Sequence, residues 1–375
     1  MTTSLSKNIL ERLAQGPIIG DGSYVITLEK RGFVRAGMWT PETVAENPDA
    51  VRQLHREFLN AGSDLIQAFT FHTTEGRLKL YNPHQAKEYS SSELNDAACN
   101  IAHEVAKEYP GTIICGGISP TPTFKAGGTE EEIKEEFRIQ CRALVKNKVD
   151  FLLGEFFGHI REAEMGIAVM KEYNLPIACS MRLGPTGDLE NVDCGQCAIR
   201  MAKAGADIIG LNCQYDPVTC VEVIKVMKAA LDAEGLHPYL MMQPLGFNCP
   251  DVRNLKEGYH SLPEYPFALE PRLLTRWDVH TYVNKAREAG VSYFGGCCGF
   301  EPYHIREISE VLREDRKKGY PGESKNGSWS SSLKSVWPTW DPRKCTKEHW
   351  VNLVPASGRP GASATSEPLP GTKNP

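Results

Sequence analysis

Ala61-Gly62-Ser63-Asp64-Leu65-Ile66, Ala204-Gly205-Ala206-Asp207-Ile208-Ile209 and Ala289-Gly290-Val291-Ser292-Tyr293-Phe294 follow one grammar. Each string closes an amphipathic stretch with Ala-Gly and opens an apolar run within about two residues. Glycine suits the left-handed C′ position that ends a helix, because it has no Cβ to clash there. The strings therefore read as joints from helix into buried strand, three copies of one βα unit.

Working outward from these joints, eight short apolar runs recur, at 18–21, 64–71, 112–117, 150–156, 176–181, 207–213, 239–244 and 291–297. They are near-continuous, the pattern of strands covered on both faces in a parallel sheet. Helical periodicity fills the intervals, for example over 49–60, 93–108, 129–146, 192–203, 218–233 and 277–289. Strand–helix alternation implies right-handed crossovers, and eight units predict a closed (β/α)8 barrel of the TIM type with a C-terminal extension. No G-x-G-x-x-G or Walker A string opens a helix after a strand, which argues against a dinucleotide fold or a P-loop.

The chain has 375 residues, 42 basic and 47 acidic, for a formal net charge of -5. That balance offers no broad field for nucleic acid or an anionic membrane surface. Hydrophobic residues make up 41%, a globular value. No apolar run approaches the roughly 18 residues of a membrane span, and no secretory signal opens the sequence. Twelve cysteines, two of them adjacent at Cys297-Cys298, do not resemble a disulfide framework. The expectation is a cytoplasmic protein in which clustered thiols serve metal binding or catalysis. Residues 1–318 form the barrel in this reading. Residues 319–355 carry Trp329, Trp337 and Trp340 and are expected to pack on the barrel or a partner subunit. Residues 356–375, rich in Pro, Gly, Ser, Ala and Thr, are expected to be disordered.

Barrel chemistry sits at the C-terminal ends of the strands. Cys213 ends the sixth run, and Cys297 and Cys298 end the eighth. Three converging thiolates would hold a tetrahedral zinc ion with one open position, the form of a catalytic site. Gly295, Gly296 and Gly299 would let both adjacent thiolates reach one metal. The bland alternative is three packed cysteines, since free cysteine is among the most buried residue types. Cys194 and Cys197 form a C-x-x-C at a predicted helix start. Without a second pair they read as one buried and one surface cysteine.

The string Gly-Gly-Cys-Cys-Gly-Phe-Glu-Pro-Tyr-His-Ile (295–305), with Gly-Leu-Asn-Cys (210–213) upstream, resembles the homocysteine S-methyltransferase family. Further matching strings include Gly20-Asp21-Gly22, Leu28-Glu29-Lys30-Arg31-Gly32, Trp39-Thr40-Pro41-Glu42, Leu262-Pro263-Glu264 and Ala356-Ser357-Gly358-Arg359-Pro360, so nearly the whole chain is covered. The resemblance implies zinc on Cys213, Cys297 and Cys298, with the sulfur of homocysteine as fourth ligand. It also implies Asp21, Gly22 and Glu155 around the homocysteine ammonium, and Trp39, Phe71, His72 and Phe156 around a small zwitterionic methyl donor. From spacing alone, Asp21 could equally be a turn cap and Glu155 half of an interior ion pair.

Members of the family that use betaine carry tyrosine directly after Phe-Thr-Phe, where this chain has His72, and Glu-Tyr-Phe where it has Glu155-Phe156-Phe157. Two donor-side hydroxyls are thus missing. His72 either donates to the donor's carboxylate or lies in a surface loop. Betaine is the donor by resemblance. A sulfonium such as S-methylmethionine or dimethylsulfoniopropionate is the alternative, and a non-catalytic zinc-binding member the lesser one. A folate- and cobalamin-using enzyme would need modules for which the chain has no room. A zinc hydrolase would rely on His and carboxylate ligands. The polar segment 73–92 is expected to form a lid. By resemblance the protein forms a homo-oligomer, dimer or tetramer, through its C-terminal segment.

Overall fold

A computed structural model describes residues 6–35, 39–326, 333, 342–353, 356, 359–360, 363 and 365. Eight strands, β1 (Ile18–Ile19), β2 (Leu65–Ala68), β3 (Ile113–Ile118), β4 (Phe151–Phe157), β5 (Ile177–Met181), β6 (Ile208–Asn212), β7 (Tyr239–Gln243) and β8 (Val291–Phe294), form one sheet in the order β1-β8-β7-β6-β5-β4-β3-β2. Every pairing between these strands is parallel. The principal helix after each strand is, in turn, α1 (Pro48–Ala61), α2 (Ser91–Glu108), α3 (Glu130–Lys146), α4 (Ile160–Met170), α5 (Cys194–Ala204), α6 (Pro217–Ala233), α7 (Arg276–Glu288) and α8 (Pro302–Val311). This is the expected (β/α)8 barrel.

The glycines of the three joints adopt the left-handed backbone that the reading required, with φ of 114° at Gly62, 109° at Gly205 and 91° at Gly290. The aspartate in the first two joints has a role of its own. β1 and β2 share no strand ladder, and Asp64 closes that seam: its N–H donates to Ile19 O (2.7 Å) and its Oδ2 accepts from Ile19 N–H (3.0 Å). Asp150 clamps Ile114 and Asp207 clamps Ile177 in the same two-bond manner. An aspartate ahead of β2, β4 and β6 thus ties each strand to its predecessor at the N-terminal end of the barrel.

The seam aspartate is also the centre of a buried ion cluster. Asp64 Oδ1 lies 2.7 Å from Arg12 Nη2, Oδ2 lies 2.8 Å from Arg316 Nη2, and Lys318 Nζ joins them.

The polar segment 73–92 contains a helix over Glu75–Tyr81, capped by Thr74, and a short 3-10 turn at Gln85–Lys87. Two local expectations change. Both Cys194 and Cys197 are buried, not one of them, because the α5 N-terminus beneath its Asp193 cap packs inward. β1 has only two ladder residues, since the chain turns at Gly20 and Asp21 into the barrel mouth, although Gly20 N–H still reaches Phe294 O (2.6 Å).

The described part of the C-terminal segment lies against α7. Trp350 stacks on Trp277 with centroids 6.2 Å apart. Arg359 is buried and its Nη1 lies 3.0 Å from Asp278 Oδ2. Trp329, Trp337 and Trp340, and most of 356–375, lie outside the described residues. Among the described residues no helix is long and apolar enough to cross a membrane.

Candidate active site at the barrel mouth

One cavity of about 180 Å³ opens at the C-terminal ends of the strands. Cys213, just past β6, and Cys297 and Cys298, just past β8, line it, and their sulfur atoms all lie within 4.8 Å of one another. Among the described residues no other group of three His, Cys, Asp or Glu could hold a metal. Tetrahedral zinc with Zn–S near 2.3 Å needs sulfurs about 3.8 Å apart, so the triad fits such an ion.

The backbone sets this convergence. Cys213 and Gln214 take consecutive left-handed conformations, φ 57° and 63°. Cys213 N–H donates to Gln243 O and Cys297 N–H to Pro244 O, each at 2.9 Å. At Gly296 a Cβ would stand 2.1 Å from the Phe300 ring, so only glycine allows the turn. Burial pushes the Cys213 thiol up, and hydrogen bonding with its two neighbours pushes Cys297 up. The same hydrogen bonds, received from Cys213 and Cys297, hold Cys298 well below the ordinary thiol range. Left to itself the triad favours one thiolate. Ionising all three so close together calls for a cation among them.

Asp21 and Glu155 line the same cavity and are both buried. Asp21 Oδ2 accepts from Gln67 N–H (2.7 Å) and from the Tyr24 hydroxyl (2.8 Å). Glu155 Oε1 accepts from the Gln67 amide, and its Oε2 lies 3.5 Å from Asn212 Nδ2. Burial lifts Asp21 to about 7 and Glu155 to about 8, and the Asp21 charge adds to the lift at Glu155. Two buried carboxyls side by side, each lifted by burial, suit a cationic group of a ligand. Gly22 also lines the cavity, and a Cβ there would meet Phe300 O at 2.5 Å.

The expected donor residues form an aromatic wall. Trp39 and Phe71 have centroids 4.5 Å apart, and Phe71 meets Phe156 edge-on at 6.2 Å. The Arg182 guanidinium lies 5.3 Å from the Phe156 ring centre. His72 takes neither of its two expected places. It is buried, not in a surface loop, and it does not line the cavity. Its ring packs 4.1 Å from Phe71 and 5.3 Å from Trp39, supporting the wall. Burial, and then Arg77, keep it neutral by holding its pKa well below the usual value.

Sequence reasoning did not single out Gln67, Asn212 and Gln243, nor Tyr259, His260 and Tyr265, all of which line the cavity. Asn212 stood inside the quoted Gly-Leu-Asn-Cys, at a strand end, and could have been found there. The Tyr259 group sits in the irregular β7–α7 connection, where no periodicity points to it. Tyr259 Oη lies 4.0 Å from Cys213 Sγ. The Tyr259 and Tyr265 rings are 5.1 Å apart, with His260 4.6 Å from each.

A family model described as homocysteine S-methyltransferase matches residues 18–312. A betaine–homocysteine S-methyltransferase from Xenopus tropicalis is 47% identical over 367 residues, 98% of this chain and 90% of that protein. An S-methylmethionine–homocysteine S-methyltransferase from Pongo abelii is also 47% identical, over 96% of this chain and 97% of its own. Among solved structures, a homocysteine methyltransferase from Escherichia coli superposes with a TM-score of 0.62 at 17% identity, covering 81% of this chain and 99% of that one. That last likeness speaks for the fold. The family match spans every strand of the barrel and the relatives are near full length, so the chain belongs to the homocysteine S-methyltransferase family.

Proposed function

We propose that this protein transfers a methyl group from a small onium donor to homocysteine and releases methionine. The observation that carries the reading is one cavity holding three thiols, two buried carboxyls and an aromatic wall. Cys213, Cys297 and Cys298 would hold a zinc ion, which when bound supplies the positive charge that keeps the acceptor sulfur a thiolate at neutral pH. An all-sulfur ligand set suits a soft thiolate substrate better than the water of a hydrolase.

The remaining residues bind and orient. Asp21 and Glu155 take the acceptor's ammonium, with Gly22 keeping the backbone close beside them. Trp39, Phe71 and Phe156 offer ring faces to the donor's cation. Arg182 lies against Phe156, so cation–π attraction to the donor uses the ring face that Arg182 leaves open. Enclosure strips water from the thiolate and holds sulfur, methyl carbon and leaving atom in line. A sulfur lone pair forms the new S–C bond. The donor's C–N or C–S bond breaks, and its electron pair leaves on a neutral amine or thioether.

Betaine is the donor by family resemblance. A sulfonium donor is favoured by one observation: Phe156 carries no hydroxyl and His72 does not reach the cavity, so two polar groups of an ammonium-binding pocket are absent from those positions. Relatives named for either donor are equally similar. We place the protein in the cytoplasm, consistent with twelve free cysteines. We also read it as a homo-oligomer built through its C-terminal segment.

The test is methionine formation by the reduced, zinc-loaded protein, with betaine, S-methylmethionine and dimethylsulfoniopropionate offered separately. Turnover with betaine supports the ammonium pocket. Turnover with sulfonium donors alone supports the second reading. No methionine from any of them, with zinc bound, overturns catalysis by these donors.

A further inference from the structure

Tyr24 and His55 lie beside the carboxyl of Asp21 and have no part in the metal triad or the donor wall. Tyr24 lines the cavity, and its ring packs among His55 (5.1 Å), Phe58 (5.5 Å) and Phe69 (5.7 Å). Its hydroxyl donates to Asp21 Oδ2 at 2.8 Å, and the same oxygen lies 2.6 Å from His55 Nδ1. His55 is fully buried, and its Nε2 has no hydrogen-bond partner.

A tyrosine hydroxyl has one hydrogen, so it can donate to only one of these two neighbours. An ionised carboxylate is the stronger acceptor. With Asp21 ionised, the hydrogen lies toward Asp21, and His55 must donate from Nδ1 to the Tyr24 oxygen. The buried, partnerless Nε2 is then the bare nitrogen of a neutral ring. With Asp21 protonated the chain reverses. The carboxyl donates to Tyr24, Tyr24 donates to His55 Nδ1, and the ring hydrogen moves to Nε2. The His55 tautomer thus reports the charge on Asp21.

Resting on the reading of Asp21 as a partner of the acceptor's ammonium, we infer that Tyr24 and His55 form a positioning relay for that carboxylate. The relay fixes Oδ2, leaves Oδ1 for the ammonium, and settles His55 in the Nδ1–H form when the amino acid binds. Burial drives the His55 pKa down to about 3, so the ring works as a neutral donor and adds no competing cation. The relay makes the acceptor site selective for a thiol that carries an amino group.

Tyr24→Phe keeps the ring and removes only the hydroxyl. In the zinc-loaded enzyme it should raise the homocysteine KM by about tenfold to a hundredfold, the usual weight of a hydrogen bond to a charged group, with kcat at saturation nearly unchanged. For 4-sulfanylbutanoate, which is homocysteine without its amino group, wild type and Tyr24→Phe should have equal kcat/KM. His55→Leu should behave like Tyr24→Phe. His55→Asn, whose amide can donate from the Nδ1 position, should restore most of the loss. In wild type, nitrogen-15 NMR of His55 with methionine bound should give the Nδ1–H tautomer, a readout that does not depend on any variant folding.

An unchanged homocysteine KM in Tyr24→Phe overturns the relay, as does the Nε2–H tautomer with methionine bound. Asp21→Asn separates the two levels. If it raises the homocysteine KM while Tyr24→Phe does not, the relay fails and the role of Asp21 stands. If neither variant matters, the role of Asp21 fails first.

Discussion

Acceptor binding should strengthen steeply as pH rises from 6 to 8. Asp21 and Glu155 are lifted by burial to about 7 and about 8, so each is mostly neutral below those values and ionised above them. The ammonium prefers the ionised forms. At pH 6 roughly one molecule in ten has Asp21 ionised and roughly one in a hundred Glu155, hence about one in a thousand has both. At pH 8 about nine in ten and about half are ionised, hence about 45% have both. A site needing both charges therefore gains several hundredfold over this range, and a site needing Asp21 alone gains about tenfold. Homocysteine is a poor probe, because its own thiol ionises as the pH rises. Methionine has the same amino group and no thiol. Its inhibition constant against homocysteine isolates the ammonium term. Log Ki should fall with a slope near minus two below pH 7, easing toward minus one between 7 and 8. The steps belong to the interacting pair and not to one residue each. Glu155→Gln should remove one step. A Ki that is flat from pH 6 to 8, or a slope unaltered in Glu155→Gln, would refute the assignment of the two carboxyls to the ammonium.

Three further outcomes follow from the geometry. Asp64→Asn leaves Arg12 and Arg316, both buried, without their counter-charge at the barrel seam, and should cost about 3–5 kcal/mol in urea unfolding; a loss under about 1 kcal/mol would contradict the seam role. Burial alone would raise the Asp64 pKa, but Arg316, Lys318 and Arg12 outweigh it and hold the carboxyl below its usual range. Its stabilising contribution is therefore present at neutral pH and is lost only as pH falls below about 4. Cys213→Ser should lower bound zinc from near one per chain toward zero after dialysis against a weak chelator, and full retention would exclude Cys213 as a ligand. Tyr259→Phe removes the hydroxyl 4.0 Å from Cys213 Sγ and should weaken zinc binding by about tenfold in chelator competition, with equal affinity counting against any contact to the ligand sulfurs.

The barrel was legible because its signals are local. A glycine that must turn left-handed after a helix is visible without knowing what the helix packs on, and Gly62, Gly205 and Gly290 all do so. The cysteines at strand ends are legible for the same reason, and Cys213, Cys297 and Cys298 stand out on that ground, whereas Asp21 and Glu155 follow from the family resemblance. What stayed hidden depends on non-local packing. His72 reads like any loop histidine until Trp39 and Phe71 are seen to bury it. Tyr259, His260 and Tyr265 reach the cavity only because the β7–α7 connection folds back over the mouth, held in part by Tyr259 N–H to Gln214 O (3.1 Å). The Asp64 cluster joins residues more than 250 positions apart, and no pattern in either stretch announces the other.

Three of the four even-numbered strands share a feature that links fold to site. His72, just past β2, Phe156, near the end of β4, and Cys213, just past β6, have φ of 59°, 65° and 57°. Side chains rarely adopt that backbone, and each instance costs about 1–3 kcal/mol. Such strain persists only where the surroundings over-determine it. Here each strained residue donates its N–H to a group on another strand or its extension: His72 to Ser119 Oγ (3.1 Å) past the adjacent β3, Phe156 to Asn212 Oδ1 (2.8 Å) on β6, two strands away, and Cys213 to Gln243 O (2.9 Å) on the adjacent β7. Asn212 Oδ1 also accepts from Ser180 on β5 (3.0 Å), which fixes the acceptor itself. A relaxed strand would keep its side chains alternating between the barrel interior and the helix layer. The left-handed step bends the chain at the mouth, which is where Cys213 meets the two cysteines of β8 and Phe156 meets Phe71. The strain is thus set against hydrogen bonds that only a finished barrel can supply, so the triad and the aromatic wall form together with the fold and not before it.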